Sequence, residues 1–179
     1  MHADDNHYLD RFIETMGRDA LAEIQIKKFQ MLLDRVLESN AFYKNKFEQA
    51  GISSSGDIRT LDDLYKLPFT TKQELSADQE AMPPYGTNLT FPREQYTRIH
   101  QTSGTTGNPL RWLDTEESWK WWARCWASVY KAAGIQPNDK IFFAFSFGPF
   151  IGFWSAYEGA HHIKALSIPG GGMSSLSLI

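Results

Sequence analysis

The fold of this chain is decided by the stretch Ile141 Phe142 Phe143 Ala144 Phe145 and the two segments that follow it. An uninterrupted apolar run that is rich in aromatic rings is typical of a strand buried on both faces. The segment from about Phe153 to His161 predicts a helix, and Ala165–Ile168 predicts a second short strand. Because strand, helix, strand units normally place their strands side by side and parallel, we predict an α/β fold with a partly parallel sheet.

Two segments directly follow the predicted strands, at the edge where open parallel sheets bind ligands. These segments are Ser146–Gly148 and Gly170–Met173. Taken alone, the consecutive glycines that begin at Gly170 are more typical of a flexible turn than of a binding loop.

A second informative stretch lies upstream, at Thr102–Pro109. It places four hydroxyl side chains and two glycines within six consecutive residues. Glycines let successive backbone amides converge on one anion, and the hydroxyls add further donors, so the composition favours a phosphate-binding loop. Pro109 restricts the residue before it and indicates that the loop ends in an extended segment.

An exposed turn has the same residue types as this loop, and two familiar nucleotide motifs do not fit it. The Walker pattern requires four residues between its glycines and a lysine after the second, whereas two residues separate Gly104 from Gly107, and Asn108 follows. The three-glycine spacing of the dinucleotide fingerprint is also absent. Both interpretations of this stretch, an exposed turn and a phosphate-binding loop, therefore remain open at this point.

A long helix is predicted between the loop and the first strand of the α/β unit. Asp114 is a suitable N-cap with Glu117 three residues later, and Gly134 ends the helix after Ala133. Apolar side chains recur at intervals of three and four residues, which favours core packing over a cofactor site. They are Trp119, Trp122, Trp126, Val129 and Tyr130. Cys125, in the same helix, is interpreted as structural.

The N-terminal half predicts mainly helices. Apolar residues from about Asp19 to Ala50 recur at helical intervals, which predicts one long or two short helices ending at Gly51. Thr60 is a predicted cap for a short helix over Leu61–Leu67, with Asp63 in the capping-box position, and Thr70–Leu75 predicts another brief helix.

A change of pattern near residue 92 divides the chain. Met82–Pro92 is rich in proline and predicts an irregular connection, whereas Gln95–Gln101 predicts a strand that leads into the hydroxyl-rich loop. Arg111–Leu113 predicts an extended segment leaving the loop, so the two segments are expected to form a hairpin. We therefore describe residues 1–92 as a helical N-terminal region and residues 93–179 as an α/β portion, both parts of one domain.

Composition limits the classes of partner. The chain has 179 residues, a net charge of −3 and 42% hydrophobic residues, which suits one packed domain and gives no basic patch for nucleic acid. Small molecules or protein are the expected partners. The single cysteine excludes an internal disulfide, and Met1–Asp10 lacks the features of a signal peptide, which favours a cytoplasmic location.

Membrane and metal sites are not expected. Gly148 and Pro149 interrupt the uncharged run from Ile141 to Tyr157, so we reject it as a membrane span. Adjacent His161 and His162 have no ligand spacing for a metal. His100, just before the hydroxyl-rich loop, is interpreted as a strand histidine with satisfied hydrogen bonds, although its position would also allow ligand contact.

Three segments, in this order and spacing, resemble the N-terminal part of an adenylate-forming enzyme of the phenylacetate-CoA ligase branch of the acyl-CoA synthetase superfamily. They are Asn40–Phe47 (NAFYKNKF), Leu61–Lys72 (LDDLYKLPFTTK) and the loop Thr102–Pro109 (TSGTTGNP). The resemblance covers most of the chain. It implies the N-terminal portion of the large domain of such an enzyme, in which a helical region precedes strands and helices with a partly parallel sheet. Residues 93–179 would then be the first α/β portion of the ATP-binding domain, and both regions would be parts of one incomplete domain.

The resemblance implies an ATP-dependent carboxylate-CoA ligase, with Mg²⁺ and coenzyme A. In that family the loop binds the β and γ phosphates of ATP while the substrate carboxylate attacks the α phosphorus, and coenzyme A then displaces AMP from the acyl adenylate. The implied phosphate contacts are Thr102, Ser103, Gly104, Thr105, Thr106 and Gly107. Many relatives have lysine at the position of Asn108, and Arg111 is a candidate substitute for that charge.

The resemblance also implies a substrate pocket that borders the two segments after the strands. Its candidate residues are Phe145, Phe147, Gly148, Pro149, Gly170 and Gly171. Phenyl rings on a concave surface suit an aromatic acid such as phenylacetate, but the same rings could equally fill a core.

The catalytic residues of the family are expected downstream of Ile179, so the resemblance predicts an incomplete and inactive piece, with none of them in this chain. Three alternatives remain. One is a relative that adenylylates coenzyme F420 and shares the loop. Another is a non-catalytic nucleotide-binding module. The third is an assembly unit, such as a homodimer, formed through the aromatic helix.

Overall fold

The computed structural model describes residues 7–103 and 108–173. These residues form two compact units. The helical unit contains residues 16–96 and 108–112, and the αβ unit contains residues 7–15, 97–103 and 113–173. The division near residue 92 that the sequence suggests stays a prediction.

The helical unit begins with two helices, α2 (Arg18–Ser39) and α3 (Ala41–Gln49), as the apolar spacing predicts. Asn40 lies between them and caps α3, since its Oδ1 accepts the N–H of Tyr43 at 3.0 Å. Its Nδ2 donates to the side chain of Asn88 at 2.9 Å. Gly51 follows α3 with a φ of +77°, a conformation that favours glycine. The core of the unit contains Leu33, Ile52 and Ile58.

The capping box that the sequence predicts at Thr60 and Asp63 is present in the helical unit, and the structure shows another at Thr71 and Glu74. Thr60 and Asp63 cap a 3₁₀ helix at Leu61–Lys66, where we expected a short α-helix. Thr71 and Glu74 cap α4 (Lys72–Ala81), which at 10 residues is longer than the brief helix expected. As predicted, the chain between residues 82 and 92 is irregular. A further 3₁₀ turn lies at Ser55–Asp57 and another at Arg93–Gln95.

The αβ unit confirms the predicted strand, helix, strand arrangement. The strands β3 (Lys140–Phe143) and β4 (Leu166–Pro169) pair in parallel, with Phe143 opposite Pro169, and α6 (Ile151–His162) connects them. The first strand ends two residues before the predicted Phe145, because the N–H of Phe145 donates to the carbonyl of Phe143 at 2.8 Å and turns the chain off the sheet. The short helix α1 (Arg11–Glu14) also belongs to this unit.

The strands that flank the hydroxyl-rich loop are also present. They are β1 (Tyr96–Gln101) and β2 (Arg111–Thr115), and they form a two-stranded sheet, as expected for the predicted hairpin.

The predicted N-cap of α5 is wrong. α5 spans Glu116–Ala132 and is capped by Thr115, whose Oγ1 accepts the N–H of Ser118 at 3.1 Å. Asp114 lies in β2 instead, where it is buried and accepts a hydrogen bond from the Ser118 hydroxyl at 3.0 Å. The strand runs two residues further than Leu113, which moves the start of the helix past Asp114.

The aromatic stripe of α5 faces the core only in part. Trp119 is buried, and Trp126 and Tyr130 pack against the core of the αβ unit. Trp122 is 41% exposed and Val129 is 56% exposed, so the prediction of core packing is wrong for these two. Ala123 and Ala127 of the same helix are also buried. Cys125, which we interpreted as structural, is exposed.

The core of the αβ unit lies between α5, α6 and the parallel strands. It consists of Ala127, Phe143, Ala156, Ala160, Ile163 and Ala165. Among the described residues, no helix has the length and apolar character needed to cross a bilayer.

Candidate phosphate and substrate site

The predicted phosphate loop connects β1 to β2. Thr102 and Ser103 follow the last residue of β1, and Arg111 begins β2. Gly104, Thr105, Thr106 and Gly107 lie outside the described residues, so the predicted phosphate contacts stay a prediction.

The strand that leads into the loop is packed around His100. This side chain is buried, and its ring stacks on Trp119 with the centroids 5.0 Å apart. Its Nδ1 lies 3.4 Å from Oδ2 of Asp114, within ion-pair distance but without hydrogen-bond geometry to any described residue. Arg98 lies over the ring of Trp119 at 4.9 Å. His100 therefore contacts Asp114 and Trp119, rather than being the fully hydrogen-bonded strand histidine that we expected.

The end of β1 lies next to the segment that follows β3. The N–H of Gln101 donates to the carbonyl of Pro149 at 3.0 Å. This bond places a candidate residue of the substrate pocket beside the entrance to the phosphate loop. An adenylate-forming site requires this proximity, since the carboxylate of the acid must reach the phosphate chain.

The segments after the two parallel strands also meet. The N–H of Gly170 donates to the carbonyl of Phe143 at 2.9 Å, and a Cβ placed on Gly171 would lie 3.4 Å from the carbonyl oxygen of Phe145. The carbonyl of Gly148 accepts the indole N–H of Trp154 at 2.7 Å, which fixes the bend at a φ of +53°. The structure therefore brings together the candidate pocket residues that follow β3 and β4.

The aromatic residues of this region line a cavity and also pack on the core. Phe145 stacks on Phe153 with the centroids 4.1 Å apart, and Phe147 lies 4.7 Å from Trp154. Phe145 lines an apolar cavity of about 390 Å³, together with Trp126, Tyr130, Phe143, Gly152, Phe153 and Ala156. Phe145 and Phe147 both pack against the core, and Phe145 also lines the cavity. Their role as residues of the substrate pocket stays a prediction.

Sequence reasoning did not assign Trp126, Tyr130 or Phe153 to this cavity. Trp126 and Tyr130 are recognisable from their spacing only as part of a buried stripe, and the cavity depends on how α5 packs against α6. Burial raises the pKa of the Tyr130 hydroxyl, which donates to the carbonyl of Ala156 at 3.0 Å.

The segment that leaves the loop carries Asn108, at the position where the resemblance implies a lysine, and Arg111, the candidate substitute for its charge. Asn108 donates to Oε1 of Glu80 at 3.5 Å, and the guanidinium of Arg111 donates to the carbonyl of Pro84 at 3.0 Å. The role of Arg111 as a substitute cation stays a prediction.

Metal-binding side chains are not clustered here. Within residues 7–103 and 108–173, no group of three or more His, Cys, Asp or Glu side chains could hold a metal ion.

Comparison with solved structures places this fold among ligases that handle acyl adenylates. The structure matches 2-hydroxyisobutyryl-CoA ligase in an open conformation with 2-HIB-AMP and CoA, at a TM-score of 0.87 and 26% identity, over 98% of this chain and 40% of that one. The same enzyme in its thioesterification state gives a TM-score of 0.88 and 28% identity, over 98% of this chain and 37% of that one. The fold of this chain is therefore similar to that of the N-terminal part of these acyl-CoA ligases of the adenylate-forming superfamily.

Within that superfamily, the sequence is similar to phenylacetate-coenzyme A ligases. It is 38% identical to the enzyme of Escherichia coli K12 over 157 residues, which are 88% of this chain and 35% of that enzyme. It is 32% identical to the enzyme of Pseudomonas putida over 168 residues, which are 94% of this chain and 37% of that enzyme. The chain thus spans about a third of the length of these relatives, which fits the N-terminal part of such a ligase. No protein-family model matches the chain.

Proposed function

We propose that the protein is an ATP-dependent carboxylate-CoA ligase. A carboxylate oxygen of the acid attacks the α phosphorus of ATP, and pyrophosphate leaves with the electron pair of the broken P–O bond. The sulfur of coenzyme A then attacks the acyl carbon of the adenylate, and AMP leaves. The observation that carries this proposal is the 38% identity to a phenylacetate-CoA ligase over 88% of the chain.

The phosphate end of the site is assigned to the loop between β1 and β2. We propose that Thr102, Ser103, Gly104, Thr105, Thr106 and Gly107 bind the β and γ phosphates. Phosphoryl chemistry depends on positioning and on charge stabilisation, which backbone amides and hydroxyls supply without a covalent nucleophile. Magnesium is proposed to arrive as part of the Mg·ATP substrate and to share the phosphate charge.

The acid is proposed to be aromatic, such as phenylacetate. The candidate pocket residues are Phe145, Phe147, Gly148, Pro149, Gly170 and Gly171. Support comes from the apolar cavity beside Phe145 and from the hydrogen bond between Gln101 and Pro149, which brings the pocket segment to the start of the loop. Apolar walls with a few polar groups are typical of sites for small organic acids. Substrates of this kind and the single cysteine fit the cytoplasm.

Acid-dependent exchange tests the proposal. The product of the complete reading frame is mixed with Mg·ATP and labelled pyrophosphate, with and without a panel of aromatic and aliphatic acids. Label should enter ATP only when a suitable acid is present, because pyrophosphate is released and rebound in the adenylation step. If no acid in a broad panel supports exchange, the protein is not this kind of ligase.

The same assay tests the loop. Gly104→Val is expected to abolish exchange, since a branched side chain obstructs the close approach of backbone to phosphate. Gly17→Val is the matched control, because a Cβ at Gly17 would meet no atom within 4 Å. Full exchange by the Gly104→Val variant would show that the phosphate assignment is wrong.

A further inference from the structure

The apolar cavity beside Phe145 has a volume of about 390 Å³ and is lined by residues of both α5 and α6. Trp126 and Tyr130 are its lining residues from α5, and Gly152 and Ala156 are among those from α6. An apolar cavity of roughly 150 Å³ is enough to bind benzene. The cavity is therefore large enough for a phenyl ring, and its lining decides which chemical groups fit it.

The lining favours an apolar group. Its two side chains that carry a polar atom already use that atom within the protein. The hydroxyl of Tyr130 donates to the carbonyl of Ala156 at 3.0 Å, and the indole N–H of Trp126 donates to the hydroxyl of Ser155 at 3.0 Å. A charged or hydroxyl group of a ligand would lose its water in the cavity without gaining either of these partners, which is unfavourable.

Gly152 lies on the face of α6 that packs against α5. Ala156, four positions later, and Gly159, seven positions later, are buried on that face, and residues at these intervals point to the same side of a helix. A Cβ at Gly159 would lie 2.3 Å from the Cβ of Trp126, whereas a Cβ at Gly152 would meet no atom within 4 Å. Gly152 is also exposed. This face of α6 is thus closed by α5 at Gly159 and open at Gly152, where the cavity meets the surface.

We propose that Gly152 determines the size of the acyl group that the protein accepts. Without a side chain at this position, the mouth of the cavity is wide enough for an aromatic ring, whereas a larger side chain on the same face would occupy that space. Phe145, a candidate residue of the substrate pocket, belongs to the wall of the cavity, and for this reason we assign the cavity to the acid. The inference rests on the proposed function, because it takes the ligand to be the acid of a CoA ligase.

Gly152→Leu tests the proposal. Leucine fills the mouth of the cavity and favours a helix more than glycine does, so the variant is expected to remain folded. Pyrophosphate exchange by the product of the complete reading frame gives kcat/KM for each acid. The value for phenylacetate is expected to fall roughly 10- to 100-fold, since a mismatch of a few atoms in an apolar pocket has an effect of this order. The value for the smallest aliphatic acid that the unaltered protein accepts should stay within a factor of about two.

Gly17→Leu is the matched control. It introduces the same side chain at the N-cap of α2, where a Cβ would meet no atom within 4 Å, and Gly17 is not among the residues that line the cavity. Its kcat/KM for both acids should equal that of the unaltered protein. If Gly152→Leu leaves the ratio of the two constants unchanged, whether both stay or both fall, the proposal is overturned.

Binding of toluene tests the cavity without catalysis. Toluene has the ring and lacks the carboxylate, so it should raise the melting temperature of the unaltered protein and of Gly17→Leu, but not that of Gly152→Leu. Equal shifts in all three proteins, or a shift in none, would overturn the assignment of the cavity.

The two measurements separate this proposal from the proposed function. If no acid supports exchange, the proposed function fails, and the toluene shift still decides whether Gly152 controls the entry of a ring. If exchange occurs with phenylacetate and Gly152→Leu changes neither the ratio of the acids nor the toluene shift, only the proposal for Gly152 fails.

Discussion

At the scale of single residues, Glu74 shows how one carboxylate both begins a helix and holds a neighbouring one. It accepts the N–H of Thr71 at 2.7 Å and forms an ion pair with Lys46 of α3. The hydrogen bond from the Lys46 ammonium, followed by that from the Thr71 backbone, lowers the pKa of Glu74 to about 2. The ionised form is therefore favoured in the folded protein.

The lowered pKa predicts a stability effect in acid. In the unfolded chain the carboxyl returns to its ordinary value of 4.5, so its contribution is complete above that pH and is lost as the pH falls towards 2. Glu74→Gln should lower stability at neutral pH and reduce the further loss between about pH 5 and pH 3. Urea unfolding of the two proteins at neutral pH, at about pH 5 and at about pH 3 measures this change in stability.

Glu48→Gln is the control for this prediction. Glu48 is exposed at the end of α3, and its side chain makes no hydrogen bond or ion pair with a described residue. Its substitution should leave the pH dependence of the urea midpoint unchanged. If Glu74→Gln gives the same curve as Glu48→Gln, the ion pair does not contribute in solution.

Side chains that act within a few residues were predictable from the sequence. The capping box of Thr60 with Asp63 was predicted because its two residues are three positions apart, and Thr71 with Glu74 has the same spacing. Asp114 has the same local pattern, yet the structure uses it differently. Its carboxylate faces His100, and that contact depends on how β1 pairs with β2.

At the scale of elements, the packing of α5 against α6 depends on the absence of a side chain at Gly159. A Cβ there would lie 2.3 Å from the Cβ of Trp126 and 3.2 Å from the carbonyl oxygen of Ala123. Polar groups between the helices are paired as well, since the indole N–H of Trp126 donates to the hydroxyl of Ser155 at 3.0 Å. The close approach of the helices thus partly buries Trp126, while its indole N–H keeps a hydrogen-bond partner.

Gly159→Ala is expected to lower the free energy of unfolding by roughly 1–3 kcal/mol, because the added methyl group forces the two helices apart. Thermal unfolding followed by circular dichroism measures the change. Gly152→Ala, in the same helix, is the matched control. A Cβ at Gly152 would meet no atom within 4 Å, so this change should be neutral or stabilise by up to about 1 kcal/mol through helix propensity.

If Gly159→Ala is as stable as Gly152→Ala, the close contact between Gly159 of α6 and Trp126 of α5 is not present in solution. The sequence could not have predicted this contact. The sequence shows a glycine inside a predicted helix, but it does not show which residue of another helix packs against it. That partner depends on the angle at which the two helices cross.

At the scale of the whole molecule, the described residues have two separate hydrophobic cores. The core of the helical unit is built on Leu33, Ile52 and Ile58, whereas that of the αβ unit is built mainly on alanines with Phe143. Large aliphatic side chains in the first core make it sensitive to the loss of a single side chain.

Leu33→Ala should lower the free energy of unfolding by about 2–5 kcal/mol, since it removes buried methyl groups and leaves a cavity. Leu32→Ala is the control from the same helix, because Leu33 is 1% exposed and Leu32 is 56% exposed. Chemical unfolding followed by circular dichroism compares the two. Equal stability of the two variants would contradict the assigned core.

The proposed activity is inferred from relatives that are longer than this chain. The matched residues cover only 35% and 37% of the lengths of these relatives. A homodimer formed through α5 stays a hypothesis, and the exposed rings of Trp121 and Trp122 are the surface that it would use. Sedimentation of the protein tests it.

The sequence alone determined the strand, helix, strand unit, the capped helices and the position of a hydroxyl-rich loop after a strand. These depend on hydrophobic periodicity and on hydrogen bonds that span only a few residues. The tertiary structure decided that Asp114 faces His100, that Phe145 lines a cavity, and that Gln79 holds Arg111. Gln79 and Arg111 are 32 positions apart, and nothing in either local pattern identifies the other as its partner. Such pairs form only when the packing of whole elements brings their polar groups within hydrogen-bonding distance.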